Sequence, residues 1–174
     1  KSKSKYLAYV ISPALTPDFT TLCLVCGNAA TVEIYRYEMA STDLFHMCEK
    51  SQWNAAVEKK EAYFPPTFDA DGFTHATSVP SQLLTTANHF YKESKEDWIC
   101  LQLNQDQLRK IGIVTRLEEP KAVGSTATSE NFNNWECPHI FGGIPTQLEG
   151  IVIRTFPMER DSDGTFKSIP GLVE

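Results

Sequence analysis

Residues 69–82 read DADGFTHATSVPSQ, and the fold turns on them. Asp71-Gly72 is a turn signal, and Phe73 to Thr77 alternates as a short β segment with Phe73 and His75 on one face and Thr74 and Ala76 on the other. Ser78 sits near an N-cap position and Pro80 in the first turn of the helix that follows, where Leu83, Leu84, Ala87 and Tyr91 share one side and His89 faces solvent. A helix starting near Pro80 leaves free backbone N–H groups and a positive dipole end near Thr77 and Ser78, which suits an anionic ligand such as a diphosphate.

Working upstream, DLFHMC (43–48) reads as an apolar strand in which His46 shares a face with Leu44 and Cys48. SQWNAAVEKK (51–60) places Trp53, Ala56 and Val57 on one helical face. The prolines and Asp-Gly of YFPPTFDADG mark a loop. Downstream, WICLQL (98–103) alternates, Asn104 to Gln107 has capping-box spacing, and IVTRLE (113–118) is a further strand. Residues 119–135 are polar and without apolar period, and a loop of that length is commonly functional or mobile, so it is either a lid or an insertion without a role. ECPHIFGGIP is turn-rich, GIVIRTF (150–156) is a strand, and the remainder is a hairpin turn or a loose tail.

With 174 residues the chain has room for one domain with a proper core. A formal charge of −6 gives no long-range pull toward nucleic acid, although a local basic groove is compatible with it. Pro13, Pro17 and Asp18 interrupt the apolar region near the N-terminus, which stays short of the roughly 18 apolar residues needed to cross a bilayer. No membrane partner is therefore expected. The five cysteines are odd in number and scattered, which argues for reduced thiols in an intracellular, cytoplasmic setting. Cys23 and Cys26 form a C-x-x-C without the second pair that a zinc ribbon needs, so the pair is read as structural or incidental.

Residues 1–38 open with KSKSK and end in TVEIYRYE, a β segment by its alternation; MAST at 39–42 has the look of a start. The expected division is an N-terminal extension (1–38) of uncertain role, an α+β domain (39–160) and a C-terminal tail (161–174). The extension makes a poor secretory signal because its apolar runs are broken, and organellar targeting is the alternative.

Three histidines, His46, His75 and His139, each lie beside a strand or turn signal and together point to one pocket. They lack the local spacing of a zinc site, so no metal is expected, and no nucleophile elbow, dinucleotide fingerprint or P-loop is present.

LFHM, Trp53, DGFTHATSVPSQ and CPHIFGGIP occur in the order in which members of domain of unknown function family 952 carry Leu-Tyr-His-Ile, a Trp-containing helix, Asp-Gly-Phe-Ile-His-Leu-Ser with a following Gln, and Phe-Pro-His-Ile-Tyr-Gly-Pro. From about Thr42 to Phe156 the chain resembles that family, which is grouped with the ADP-ribosyltransferases and the tRNA 2′-phosphotransferases. The resemblance implies an ADP-ribosyltransferase-like fold, a split mixed β-sheet with flanking helices, and NAD or an ADP-ribose-bearing nucleotide as substrate with an unidentified acceptor. It implies that His46 holds a ribose, that His75 and Thr77 line the cleft and that His139 and Phe141 close it; Arg116, in TRLEE, is the cation suited to meet the diphosphate by charge-assisted hydrogen bonds.

A transferase of this kind also needs a glutamate against the oxocarbenium-like charge. No motif assigns one here, and Glu118 is chosen because it ends a strand beside Arg116. Catalytic roles thus fall to His46, His75 and Glu118. Thr74 and Ala76 stand where relatives carry aliphatic residues, Cys137 where they carry Phe, and Gly143 where they carry Pro. The alternatives are a non-catalytic module binding a nucleotide or phosphate-bearing ligand, and a protein-interaction module with structural histidines.

Overall fold

A computed structural model of the chain describes residues 23–26, 33–36 and 43–172. The KSKSK opening and the Met39 start lie outside the described residues. The chain divides into two units, Lys1–Ser41 and Thr42–Glu174. In the first, β1 (Cys23–Cys26) pairs antiparallel with β2 (Glu33–Arg36), Cys23 opposite Arg36 and Cys26 opposite Glu33. The C-x-x-C pair thus spans β1 from end to end.

The second unit is α+β. Its strands are β3 (Asp43–Glu49), β4 (Thr74–His75), β5 (Trp98–Asn104), β6 (Val114–Glu118), β7 (Cys137–Phe141), β8 (Val152–Arg160) and β9 (Phe166–Ser168). The helices are α1 (Lys50–Lys59), α2 (Phe68–Asp71), α3 (Leu83–Phe90) and α4 (Gln105–Lys110), with short 3-10 turns at Pro80–Gln82 and Glu130–Phe132. The strands form two half-sheets, ordered β3-β5-β8-β9 and β4-β7-β6. A single antiparallel bridge between Phe45 and Thr77 joins them, curling the whole into half a barrel.

The resemblance implied a mixed sheet, but every ladder among the described strands is antiparallel. A parallel neighbour needs a crossover that returns the chain to the same end of the sheet, whereas here β5 comes back beside β3 from the opposite end.

Strand alternation sorts the core into two clusters. Leu44 and Cys48 of β3, with Ile99, Leu101 and Leu103 of β5, pack on one side against Trp53, Tyr63 and Ile140. Phe45 and Met47, with Trp98 and Cys100, pack on the other against Leu83 and Ala87 of α3 and against Phe156 and Phe166. Trp53 anchors α1 as its spacing predicts, but Val57 is exposed because the helix turns only its Trp53 and Ala56 edge inward.

Two elements depart from the expectation, and the residues after β8 take the hairpin, one of the two forms expected for them. The presumed loop before Gly72 contains the one-turn helix α2, ended by Gly72 in the left-handed region at φ 80°. β8 runs on through Pro157 to Arg160. Pro157 pairs with Ile99 on its inner side, and β9 meets β8 only from Glu159 onward, so the missing N–H falls where no outer strand needs it. The segment after β8 forms a hairpin in which Phe166 is buried.

Candidate functional site

The register places the histidines. His75 lies opposite His139, Arg116 opposite His139 and Glu118 opposite Cys137, so His75, His139, Arg116 and Glu118 project from one face of the β4-β7-β6 half-sheet. Phe73 stacks on the His139 ring at 4.0 Å between centroids, and the His75 ring meets His139 edge-on at 5.4 Å. His46 belongs to the other face of β3, with Leu44 and Cys48, and reaches the group only across the seam between β3 and β4. There its Nδ1 lies 2.7 Å from the His75 carbonyl oxygen.

Each histidine has one ring nitrogen committed to an oxygen that can only accept. His46 Nδ1 donates to the His75 carbonyl, His75 Nε2 to Asp71 Oδ2 at 3.1 Å, and His139 Nδ1 to Glu118 Oε2 at 2.9 Å. Burial pushes the His46 pKa down to about 4 and lowers those of His75 and His139, so all three rings are neutral at pH 7. A neutral imidazole that donates through one nitrogen bears a lone pair on the other. His46 Nε2 and His139 Nε2 are buried with no hydrogen-bond partner among the described residues. An orphaned buried acceptor costs about 1–3 kcal/mol, so each asks for a donor from water or a ligand.

The carboxylates are equally fixed. Glu118 is held down to about 2 by the hydrogen bond from Lys121 and then by that from His139. Burial alone would raise Asp71, but hydrogen bonds from Thr67, from the Gly124 N–H and from His75 outweigh it and keep the carboxyl low. Gly124 sits at φ 54°, and a Cβ there would lie 3.1 Å from Thr67 Cγ2. A glycine is what lets the 119–135 loop come close enough to dock on Asp71.

Two adjoining cavities open around this group. The narrower one, itself partly open to solvent, is walled mainly by Phe45, Met47, Phe90, Phe132 and Trp135, with His75, Thr77, Gln82, Thr86, Lys121 and His139 among its polar members. The other is roomier, also partly open to solvent, and lined by His46, Glu49, Gln52, Tyr63, Thr67 and Ser94 among others. Met47, His75, Phe90, Tyr91 and Val123 line both, so they are lobes of one cleft. The 119–135 loop roofs both, supplying Lys121, Phe132 and Trp135 to the aromatic lobe and Gly124 to Thr126 to the polar one.

Of the expected site residues, His46 lines the polar lobe, Thr77 and His139 the aromatic lobe, and His75 both. The three histidines therefore border two lobes of a cleft rather than one undivided pocket. Phe141, Arg116 and Glu118 line neither of these lobes. Arg116 is exposed with its guanidinium 4.6 Å from the Phe141 ring, and Glu118 stands behind His139. His89, expected in solvent, is half-buried: it bonds the Ala127 carbonyl at 2.8 Å and meets Phe132 edge-on. Asp71, Gln82 and Tyr63 were not expected as site residues, although Asp71 and Gln82 stand in the motif DGFTHATSVPSQ. The Asp-x-x-x-His spacing of Asp71 and His75 was the available signal, masked by the Asp-Gly turn.

Among the described residues, no helix is long and apolar enough to cross a membrane, and no group of three or more His, Cys, Asp or Glu side chains is placed to hold a metal ion.

Fold and site define an α+β protein with a histidine-walled, two-lobed cleft in a divided antiparallel sheet. Residues 47–152 match the model of the family described as Protein of unknown function (DUF952), and the chain belongs to that family. The crystal structure of protein CC0527 from Caulobacter crescentus, a structural genomics target, is similar at 20% identity and a TM-score of 0.52, over 72% of this chain and 94% of that one. A double mutant of the same Caulobacter protein gives 19% identity and a TM-score of 0.52 over the same shares. These likenesses speak for the fold alone. No curated protein matches the chain.

Proposed function

We propose that residues 39–160 form a nucleotide-binding domain of the ADP-ribosyltransferase-like kind, preceded by an extension and followed by a tail, and that its cleft takes NAD or an ADP-ribose-bearing nucleotide. The observation that carries this reading is His46: 3% exposed, neutral, and bare at Nε2 in the wall of the polar lobe. A ribose hydroxyl is a donor of the right size for that acceptor. The division of the sheet between β3 and β4 supports the fold assignment.

Binding without bond cleavage is the better supported form. Glu118 is already shared between Lys121 and His139, and Arg116 is stacked on Phe141. One observation favours a transferase or NAD-cleaving enzyme: ionised Glu118 backs His139, which lines the aromatic lobe, so its negative charge reaches a ligand there through one imidazole.

The test is a thermal-shift titration of the full chain with NAD, ADP-ribose and ADP, beside His46→Ala and His46→Gln. The expected result is a rise in Tm that grows with the logarithm of ligand concentration, about 2.7 kcal/mol of stabilisation at a hundred times Kd, that both substitutions remove. No shift with any of the three, from a folded protein, sinks the nucleotide reading. Nicotinamide released from NAD would decide for the enzyme.

A further inference from the structure

The aromatic lobe carries a feature that ribose binding leaves unused. We infer that this lobe is a nucleobase subsite, reading an edge that offers a donor beside an acceptor, such as the amino group and neighbouring ring nitrogen of adenine, through His139 Nε2 and Gln82 Nε2.

His139 supplies the acceptor. Its ring is fully buried, its Nδ1–H is spent on Glu118, and its Nε2 lone pair has no partner among the described residues. Gln82 supplies the donor. Its Oε1 accepts from the Thr77 hydroxyl at 3.2 Å, which orients the amide and leaves the two Nε2 protons without a partner among the described residues.

Both side chains line this lobe. His75 is opposite His139, the Ala76 N–H reaches the Pro138 carbonyl at 3.0 Å, and Gln82 hangs from Thr77, the next residue of that segment.

The walls suit a flat ring. Phe132 meets Trp135 at 5.0 Å and Phe90 at 5.3 Å, giving an aromatic surface on which a base gains roughly 1–3 kcal/mol by stacking. The charge suits a neutral one. Among the described residues, Lys121 is the only lysine or arginine lining either lobe, and it is bonded to Glu118 at 2.7 Å. Affinity then comes from base and ribose rather than from a diphosphate.

The inference deepens the nucleotide reading and rests on it for orientation: with the base beside His139 and the ribose beside His46, the ligand straddles His75 and Met47, which border both lobes.

Isothermal titration of the full chain with adenine, adenosine, N6,N6-dimethyladenosine and ADP-ribose tests it, with Gln82→Met and His139→Phe as variants. Dimethylation removes the donor that His139 accepts and is expected to weaken binding about five- to tenfold, the worth of one neutral hydrogen bond. His139→Phe should weaken adenosine to the same degree and leave the dimethyl compound unchanged, because the partner it lacks is already gone. Gln82→Met should weaken both. If His139→Phe does not fold, the wild-type comparison of the two nucleosides and the Gln82→Met arm still decide.

Equal affinity for adenosine and its dimethyl derivative, with ADP-ribose binding, overturns the base subsite and leaves the nucleotide reading standing. Binding of adenine without ADP-ribose keeps the subsite and sinks the nucleotide reading. Binding of none of the four overturns both.

Discussion

β5 and β6 are short strands of similar composition at first sight, WICLQLN against VTRLE, yet the first buries Trp98, Ile99, Cys100, Leu101 and Leu103 and the second buries nothing. β5 lies between β3 and β8, whereas β6 is the outer strand of its half-sheet, and Val114 and Leu117 are 50% and 60% exposed. Burial is thus a property of neighbours and not of the apolar letters themselves. The difference extends to the half-sheets. The β3-β5-β8-β9 half puts apolar side chains on both faces, while the β4-β7-β6 half gives one face to histidines, carboxylates and cations. One half holds the molecule together, and the other presents chemistry to the cleft.

That contrast can be broken at three strengths. Leu101→Ala, at a fully buried site in the centre of β5, should cost about 2–5 kcal/mol by loss of transfer energy and by the cavity left behind. Urea unfolding measures it, and a loss below about 1 kcal/mol would mean that the core is not where the contrast places it.

The next effect belongs to the histidine side. The folded-state pKa of His46 is depressed to about 4, so between that value and about 6.5 the unfolded chain binds more protons than the folded one. Stability is full above about pH 6.5 and falls as the pH drops toward 4, by roughly 3 kcal/mol from His46 alone. His75 and His139, lowered in the same direction, add to the fall. His46→Gln should flatten this limb in a series of unfolding curves; an unchanged slope would show that the ring is not buried neutral. The smallest effect is expected at the edge. Val114→Ala on β6 should change stability by no more than about 0.5 kcal/mol, and a loss above 1 kcal/mol would contradict an open outer strand.

Much of this frame was legible from residues alone. Alternation in DLFHMC put His46 with Leu44 and Cys48, and the same rule put Phe73 with His75. The cap at Asn104 is made as its spacing predicts, its side chain accepting from the Gln107 N–H. The consequence of the first two facts together was less visible. Placing His46 with Leu44 and His75 with Phe73 sets them on opposite faces once Phe45 bridges Thr77, and that bridge is a tertiary event with no local signal. The role of the 119–135 loop escaped for a similar reason. Its polar letters carry no period, and what fixes it is long-range: the Gly124 N–H received by a carboxylate 53 positions earlier, the Ala127 carbonyl bonded by His89, and Phe132 buried against Phe90.

The seam between the half-sheets has a consequence for the cleft. Two backbone hydrogen bonds between Phe45 and Thr77, of 2.7 and 2.9 Å, and the His46 to His75 bond are the ties across the line where β3 meets β4. Seven residue pairs, by contrast, join β3 to β5 along their full length. The rest of the connection between the half-sheets is side-chain packing, with Ile140 of β7 in one core cluster with Leu44, Ile99 and Leu101. The cleft lies along the same line, so one side chain, His46, both ties the two half-sheets and forms part of the cleft wall.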